Sequence, residues 1–359
     1  MRIAVFALTA RGAELARRVQ RLLPEMPDVY VPEKIESEGF EPKHFFAFAK
    51  FGESFKECFT HYDVLICVMA AGIVVRTMAP LLKDKLTDPA VIVCDEQGRF
   101  AISLLSGHVG GANFLTRQLA EVIDAQPVIT TATDIAGKVA PDAFAGQTAL
   151  HPWPKSRIKV LNSALLYGEE IEYEASPGLP HRVFYLEKLA EYKLLGHQEQ
   201  NASYKVILCS REELPEETDV PPHTLYLVPN QLIAGVGCRK GVDKALVQSA
   251  LEQACKSIGR DVSFIDAMAS VSIKAHEEGL LATARELNVP IHFYEPKVLE
   301  QQIDAFHLMQ SEFVKSRVGA GNVCEAAALR EAMGTSKGVR FALLKTKYEK
   351  VTVSLLWHW

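Results

Sequence analysis

The stretch LLSGHVGGANFLTRQLA, Leu104–Ala120, reads as an apolar strand, a glycine turn carrying His108, and an amphipathic helix. A strand that hands over to a helix through so short a turn is the repeating unit of an α/β sheet. Gly107, Gly110 and Gly111 let backbone N–H groups approach an oxygen-rich ligand, and the new helix adds unpaired N–H groups and the positive end of its dipole. The turn therefore suits an anion, although such a glycine corner also occurs where the chain only needs to bend.

Working outward, three more strand-then-polar-turn segments lie nearby: CVMAAGIVVRTMAP from Cys67, KDKLTDPAVIVCDEQGRF from Lys83 and PVITTATD from Pro127. In an open parallel sheet such turns gather along one edge, where ligands bind. IAVFAL predicts the first strand, and ELARRVQRLL a helix with Leu15, Val19, Leu22 and Leu23 on one face. VLICVM, AVIVCD, FAISLL and PVITTA predict further strands. CDEQGRF reads as a tight hairpin turn between two of them, so the sheet is expected to be mixed, mostly parallel.

Residues 1–145 thus read as a doubly wound α/β domain. From 146 to 229, HPWPK, SPGLPH and REELPEETDVPPH break the chain into short pieces, predicting a small α+β linking subdomain poor in chemical motifs. Residues 230–359 read as a second α/β domain: LIAGVGCRKG is a strand and turn, a helix starts near Asp243, and SVSIKAHEEGLLATAREL is a turn and helix. The strand PIHFY and the helix of VGAGNVCEAAALREA follow, then a terminal hairpin, VRFALLKTKYEKVTVSLLWHW.

The 359 residues carry a formal net charge of −5, which argues against a surface devoted to nucleic acid. Without an apolar run of about 18 residues or a signal-peptide pattern, a cytoplasmic location is expected and no membrane partner. The seven cysteines show no C-x-x-C pair and read as reduced thiols, with Cys238 alone in a motif-like setting. No His/Cys spacing matches a zinc site. P-loop, dinucleotide and serine-elbow patterns are all incomplete or missing; GVGCRKG is one residue too long for a dinucleotide fingerprint.

What remains is a set of glycine turns with polar and basic side chains, suited to a carboxylate-rich ligand. Lys83 and Lys85 read as solvated charges, Arg76 and Arg239 as functional, and Asp134 equally as a helix N-cap.

The wording of the motifs resembles the cobalt-precorrin-5A hydrolases of the anaerobic cobalamin pathway, the CbiG family. The resemblance rests on Val68–Asn113, PVITTATD, GVGCRKG (Gly235–Gly241), SIKAHEEGL (Ser272–Leu280) and GNVCEAAAL (Gly321–Leu329). Glu278 and Cys324 depart from the proline and alanine expected there, and neither change removes a charged group. The resemblance implies a hydrolase that opens the δ-lactone of cobalt-precorrin-5A and expels acetaldehyde to give cobalt-precorrin-5B, with N-terminal, middle and C-terminal domains. The cobalt arrives inside the corrinoid substrate, no further cofactor is implied, and other enzymes of the pathway are the partners to expect.

The catalytic candidates are His108 as general base, Asp134 as its orienting group if the two turns face each other, and Glu325. Gly110 and Gly111 N–H groups are candidates for the oxyanion site. Substrate-binding candidates are Arg76, Gly107, Gly110, Gly111, Asn113, Thr131, Thr133, Arg239, Lys274 and Glu277. Lys274 with Glu277 or Glu325 is an equally fair catalytic pair. A non-catalytic carrier of tetrapyrrole intermediates and a methyl transferase acting on the same substrates are the rival readings.

Overall fold

A computed structural model describes residues 1–195, 203–332 and 338–359, in two compact units, Arg2–Pro229 and Asn230–Trp359, the second also taking in Met1. The first unit holds two sheets. Strands β1 (Ile3–Ala7), β2 (Asp28–Pro32), β3 (Phe45–Phe48), β4 (Val64–Val68), β5 (Ala90–Cys94), β6 (Phe100–Leu105) and β7 (Gln126–Val128) form a seven-stranded sheet in the order β3-β2-β1-β4-β5-β6-β7. Every residue of β1, β4 and β5 is buried, as central strands covered on both faces require.

The helix Ala10–Leu22 starts from Thr9, whose Oγ1 accepts the Gly12 N–H at 3.1 Å. Leu15 and Val19 are buried as predicted, whereas Leu22 is exposed and Leu23 half-buried. The face is completed instead by Gln20, which donates to the carbonyls of Pro27 and His44.

The predicted hairpin is present. Asp95 accepts the N–H groups of Gln97, Arg99 and Phe100, and Gly98 sits at a φ of +67°, where L side chains are strained. Burial pushes the Asp95 carboxyl up, but these N–H groups and Arg99 outweigh it and hold it low. Strands β5 and β6 pair antiparallel, and β7 runs parallel to β6. The hairpin therefore reverses the chain, and the candidate turns do not share one edge. The turns after β6 and β7, with the 83–89 segment before β5, lie at one edge; the turns after β4 and β5 lie at the other. Ser106 Oγ donating to the Asp88 carbonyl at 3.0 Å ties the first group together.

The second sheet, β8 (Leu150–Trp153), β9 (Ile171–Ala175), β10 (Tyr204–Leu208) and β11 (Thr224–Pro229), has the order β8-β11-β10-β9, parallel apart from β8. Its core gathers Phe144, Ile158, Leu161, Tyr185 and Leu189 from the helices Pro141–Thr148, Lys155–Leu166 and Arg182–Glu191.

In the second unit, β12 (Gln231–Cys238), β13 (Ile265–Val271), β14 (Ile291–Tyr294), β15 (Val339–Lys347) and β16 (Val351–His358) form a sheet ordered β14-β13-β12-β16-β15. β12, β13 and β14 are parallel, and β15 and β16 are the terminal hairpin. The helix Cys324–Ala332 lies directly on β12: a Cβ at Gly235 would fall 1.8 Å from the Cys324 carbonyl oxygen. Gly235 is thus a packing glycine inside a strand, not part of a ligand turn. No described helix is long and apolar enough to cross a membrane.

Candidate active site

Strand β6 delivers the chain into the His108 turn. Gly111 has a φ of +82°, and a Cβ at Gly110 would meet Ser106 Cβ at 2.5 Å, so both glycines are needed for the turn to close. The same closure consumes donors. Gly111 N–H donates to the His108 carbonyl at 2.9 Å, Ala112 N–H to Ser106 at 3.1 Å, and Asn113 N–H to Gly107 at 3.1 Å. The first N–H groups of the helix Ala112–Ile123 are spent on the turn itself, which removes Gly111 as an oxyanion donor. Gly107 leaves room for Asn113, whose Oδ1 would lie 2.7 Å from a Cβ there.

Buried Asn113 joins the turns. Its Oδ1 accepts from Ser103 Oγ at 2.6 Å, and its Nδ2 donates to Asp134 Oδ2 at 2.8 Å and Thr131 Oγ1 at 3.0 Å. Asp134 also takes the Arg117 guanidinium at 2.8 Å. Asn113 and Thr131 therefore bind protein groups, which makes them holders of the site.

The two turns do face each other. His108 Nε2 lies 3.2 Å from Thr133 Oγ1 and 3.5 Å from Asp134 Oδ2. The shorter carboxylate contact is elsewhere: His108 Nδ1 is 3.0 Å from Oδ1 of Asp142, on the first turn of the helix Pro141–Thr148. Asp142 is buried, accepts from Asn162 Nδ2 at 2.9 Å, and has Lys85 Nζ at 3.6 Å from Oδ2. Lys85, read from the sequence as a solvated charge, is part of this cluster while half of its side chain stays exposed.

Sequence reasoning missed Asp142. Its one signal was an acidic residue following Pro141 at a helix start, a pattern that ordinarily means only a favourable helix dipole. Gly146 on the same helix brings it close, since a Cβ there would meet Val109 Cα at 2.8 Å.

Burial of His108 disfavours its charged form, but Asp142, by hydrogen bond and charge, and then Asp134 outweigh burial and Lys85, so its pKa is raised above 6.5. For Asp142 burial acts upward, and His108, Asn162 and Lys85 together hold its pKa below 3.8. The pair is an oriented imidazole over a buried carboxylate.

Arg76 is exposed on the helix Ala71–Met78, which begins at the opposite sheet edge, and it enters none of these hydrogen bonds or ion pairs. In the second unit, Lys274 and Glu277 pair at 2.9 Å, and Glu277 accepts the Gly241 N–H at 2.8 Å, beside exposed Arg239. Burial raises Glu277, but Lys274 and Gly241 prevail and lower it. Burial pushes Cys238 up to about 11, Lys274 and Glu277 pulling in opposite directions, which marks it as an inert thiol. Glu325 is buried, with Oε1 accepting the Lys345 N–H at 3.0 Å and Oε2 taking Asn322 Nδ2.

Family models match two segments: Cobalamin synthesis G N-terminal over residues 53–134 and Cobalamin synthesis G C-terminus over residues 232–356. A cobalt-precorrin-5A hydrolase of Salmonella typhimurium is 34% identical over 94% of this chain and 93% of its own. One from Priestia megaterium is 30% identical over 98% and 94%. A cobalamin biosynthesis protein G homolog from Sulfolobus solfataricus shares the fold, with a TM-score of 0.59 at 18% identity over 99% of this chain and 97% of that one. The matches cover both units, and the chain belongs to the cobalt-precorrin-5A hydrolase family.

Proposed function

We propose that the chain is a cytoplasmic cobalt-precorrin-5A hydrolase that opens the δ-lactone of its substrate and releases acetaldehyde, giving cobalt-precorrin-5B. What carries this function at the site is the His108 imidazole, gripped through Nδ1 by buried Asp142 and turned with Nε2 toward Thr133 and Asp134. In the neutral ring Nδ1–H donates to Asp142, a tautomer assigned from this network, and Nε2 is the base.

Nε2 takes a proton from water as the water oxygen attacks the lactone carbonyl, and Gly110, whose N–H takes no part in the turn's bonds above, donates to the oxyanion. The ring C–O bond then breaks. The freed alkoxide becomes the carbonyl of acetaldehyde as its neighbouring C–C bond breaks, and the macrocycle takes up the electron pair and is protonated. Arg76 on the first unit and Arg239 on the second are exposed cations suited to carboxylates, and neither is part of the His108 cluster. Cobalt enters within the substrate, and neighbouring pathway enzymes supply and receive the intermediates.

The test is lactone opening and acetaldehyde release by His108→Ala protein with wild-type circular dichroism. Turnover should fall by roughly 100-fold or more; near-normal turnover removes His108 as base. Substrate binding by the wild-type protein without any acetaldehyde would favour a carrier of tetrapyrrole intermediates instead.

A further inference from the structure

Asp142 lies between the two family-matched segments, and so does the residue that holds it. Asn162, half-buried on the helix Lys155–Leu166, donates from Nδ2 to Asp142 Oδ1 at 2.9 Å, and the same oxygen meets His108 Nδ1 at 3.0 Å. Two donors converging on one oxygen fix both the plane of the carboxylate and the direction from which the imidazole is held. Lys85 reaches the other oxygen at only 3.6 Å and is half exposed, so it cannot fix that plane.

The chemistry of the amide fits the place. A cation there would neutralise the charge that His108 uses, and a carboxylate would repel it; a neutral donor orients Asp142 and leaves its charge for the imidazole. Around it the packing is close: the Tyr173 ring meets Phe144, on the Asp142 helix, edge-on at 6.3 Å. The Tyr173 hydroxyl and Asn162 Oδ1 are both buried and make no hydrogen bond among the described residues, so Asn162 spends its amide on Asp142 alone.

We propose that Asn162 is a positioning residue for the hydrolysis, fixing Asp142 so that Asp142 fixes His108; this rests on the role given to His108 above. The middle segment, which neither family model covers, thereby completes the site built by the β6 and β7 turns. The titratable groups facing His108 are Asp142, Asp134 and Lys85, with Arg117 on Asp134 and Tyr173 beside Asp142. Burial, then the Asp142 charge, push the Tyr173 phenol up, which keeps it protonated beside Asp142.

The experiment measures kcat and KM against pH in the full-length protein, together with the His108 titration by NMR, which needs no substrate. For Asn162→Ala, kcat should fall roughly 10- to 100-fold, the loss a small misplacement brings, with KM little changed. The His108 midpoint should fall, because a displaced Asp142 raises the imidazole less. Asn162→Asp keeps the volume, adds a second anion, and should raise the midpoint instead while lowering kcat; it decides the matter alone if the alanine variant does not fold. Unchanged kcat, or lost activity with an unmoved His108 midpoint, overturns the proposal. His108→Ala run in parallel separates the two levels: normal turnover there overturns the base assignment, while the NMR midpoint still reports whether Asn162 governs His108.

Discussion

His108 Nδ1 and Asp142 Oδ1 meet at 3.0 Å across the joint between the seven-stranded sheet and the four-stranded sheet. One partner comes from the turn after β6 and the other from the helix that opens the middle segment, so folding of both sheets is required before the pair exists. The Asp142 side chain is 2% exposed and that of His108 15%, which keeps the interaction largely out of solvent. A buried carboxylate on Nδ1 is the arrangement that orients a histidine for proton transfer through Nε2.

Asp142→Asn removes the charge and keeps the shape. Asp142 raises the His108 pKa, so its loss should lower that pKa and move the acid limb of the kcat–pH profile to lower pH. Turnover should also fall by roughly 100-fold or more, because an amide presenting N–H favours the wrong imidazole tautomer. A pH–rate series on both proteins checks this; an acid limb at the wild-type position would show that Asp142 does not act on the titrating group.

The same pair ties stability to pH. His108 is raised above its unfolded value of 6.5, so its contribution is complete below about 6.5 and is lost as pH rises through the folded pKa. Asp142 is lowered below 3.8, so its contribution is present above about 3.8 and is lost as pH falls through the folded pKa. The charged pair therefore stabilises most between those limits. Urea unfolding of wild type and Asp142→Asn from pH 4 to 9 should give a difference that is largest near about pH 5 and shrinks above neutrality; a difference growing toward pH 9 would contradict the assignment.

The sheet could be read from local patterns, because apolar strands such as β1 and β4 and the Asp95–Gly98 turn carry their own signals. What those patterns lacked was direction. The hairpin was visible, yet its consequence, that the β4 and β6 turns leave opposite edges, follows only once strand order is known. His108, Asn113 and Asp134 were legible because glycine and threonine turns surround them. Asp142 was not, since its partner is 34 residues away and nothing local distinguishes it from a helix-start carboxylate. The packing role of Gly235 was hidden for a related reason: nothing local shows that a glycine within a strand admits a crossing helix.

Gly146 holds the middle helix against the His108 turn. A Cβ there would lie 2.8 Å from Val109 Cα, 2.9 Å from Val109 O and 3.1 Å from the His108 carbonyl, all backbone atoms that cannot swing aside. Gly146→Ala should therefore cost about 1–3 kcal/mol and carry Asp142 away from His108, lowering Tm and kcat together. Gly52→Ala is the control, since no atom lies within 4 Å of its Cβ position; it should be neutral or stabilising by up to about 1 kcal/mol. Equal behaviour of the two variants would mean that the contact does not constrain the site.

Glu325 provides the sharpest division between structure and chemistry. It stands in the first turn of the buried helix Cys324–Ala332, where one carboxylate oxygen accepts the Lys345 N–H from β15 and the other takes the Asn322 amide. Both oxygens join parts of the second unit, which is the work of a structural carboxylate. Glu325→Ala would leave those buried donors unpaired, at a cost of about 1–3 kcal/mol each. Its thermal unfolding should fall well below wild type, while turnover measured on protein that is still folded stays within a few-fold. Glu325→Gln keeps one acceptor for Lys345 and should recover part of the lost stability. A glutamine variant as stable as wild type but roughly 100-fold slower would reverse the assignment and place Glu325 among the reacting groups.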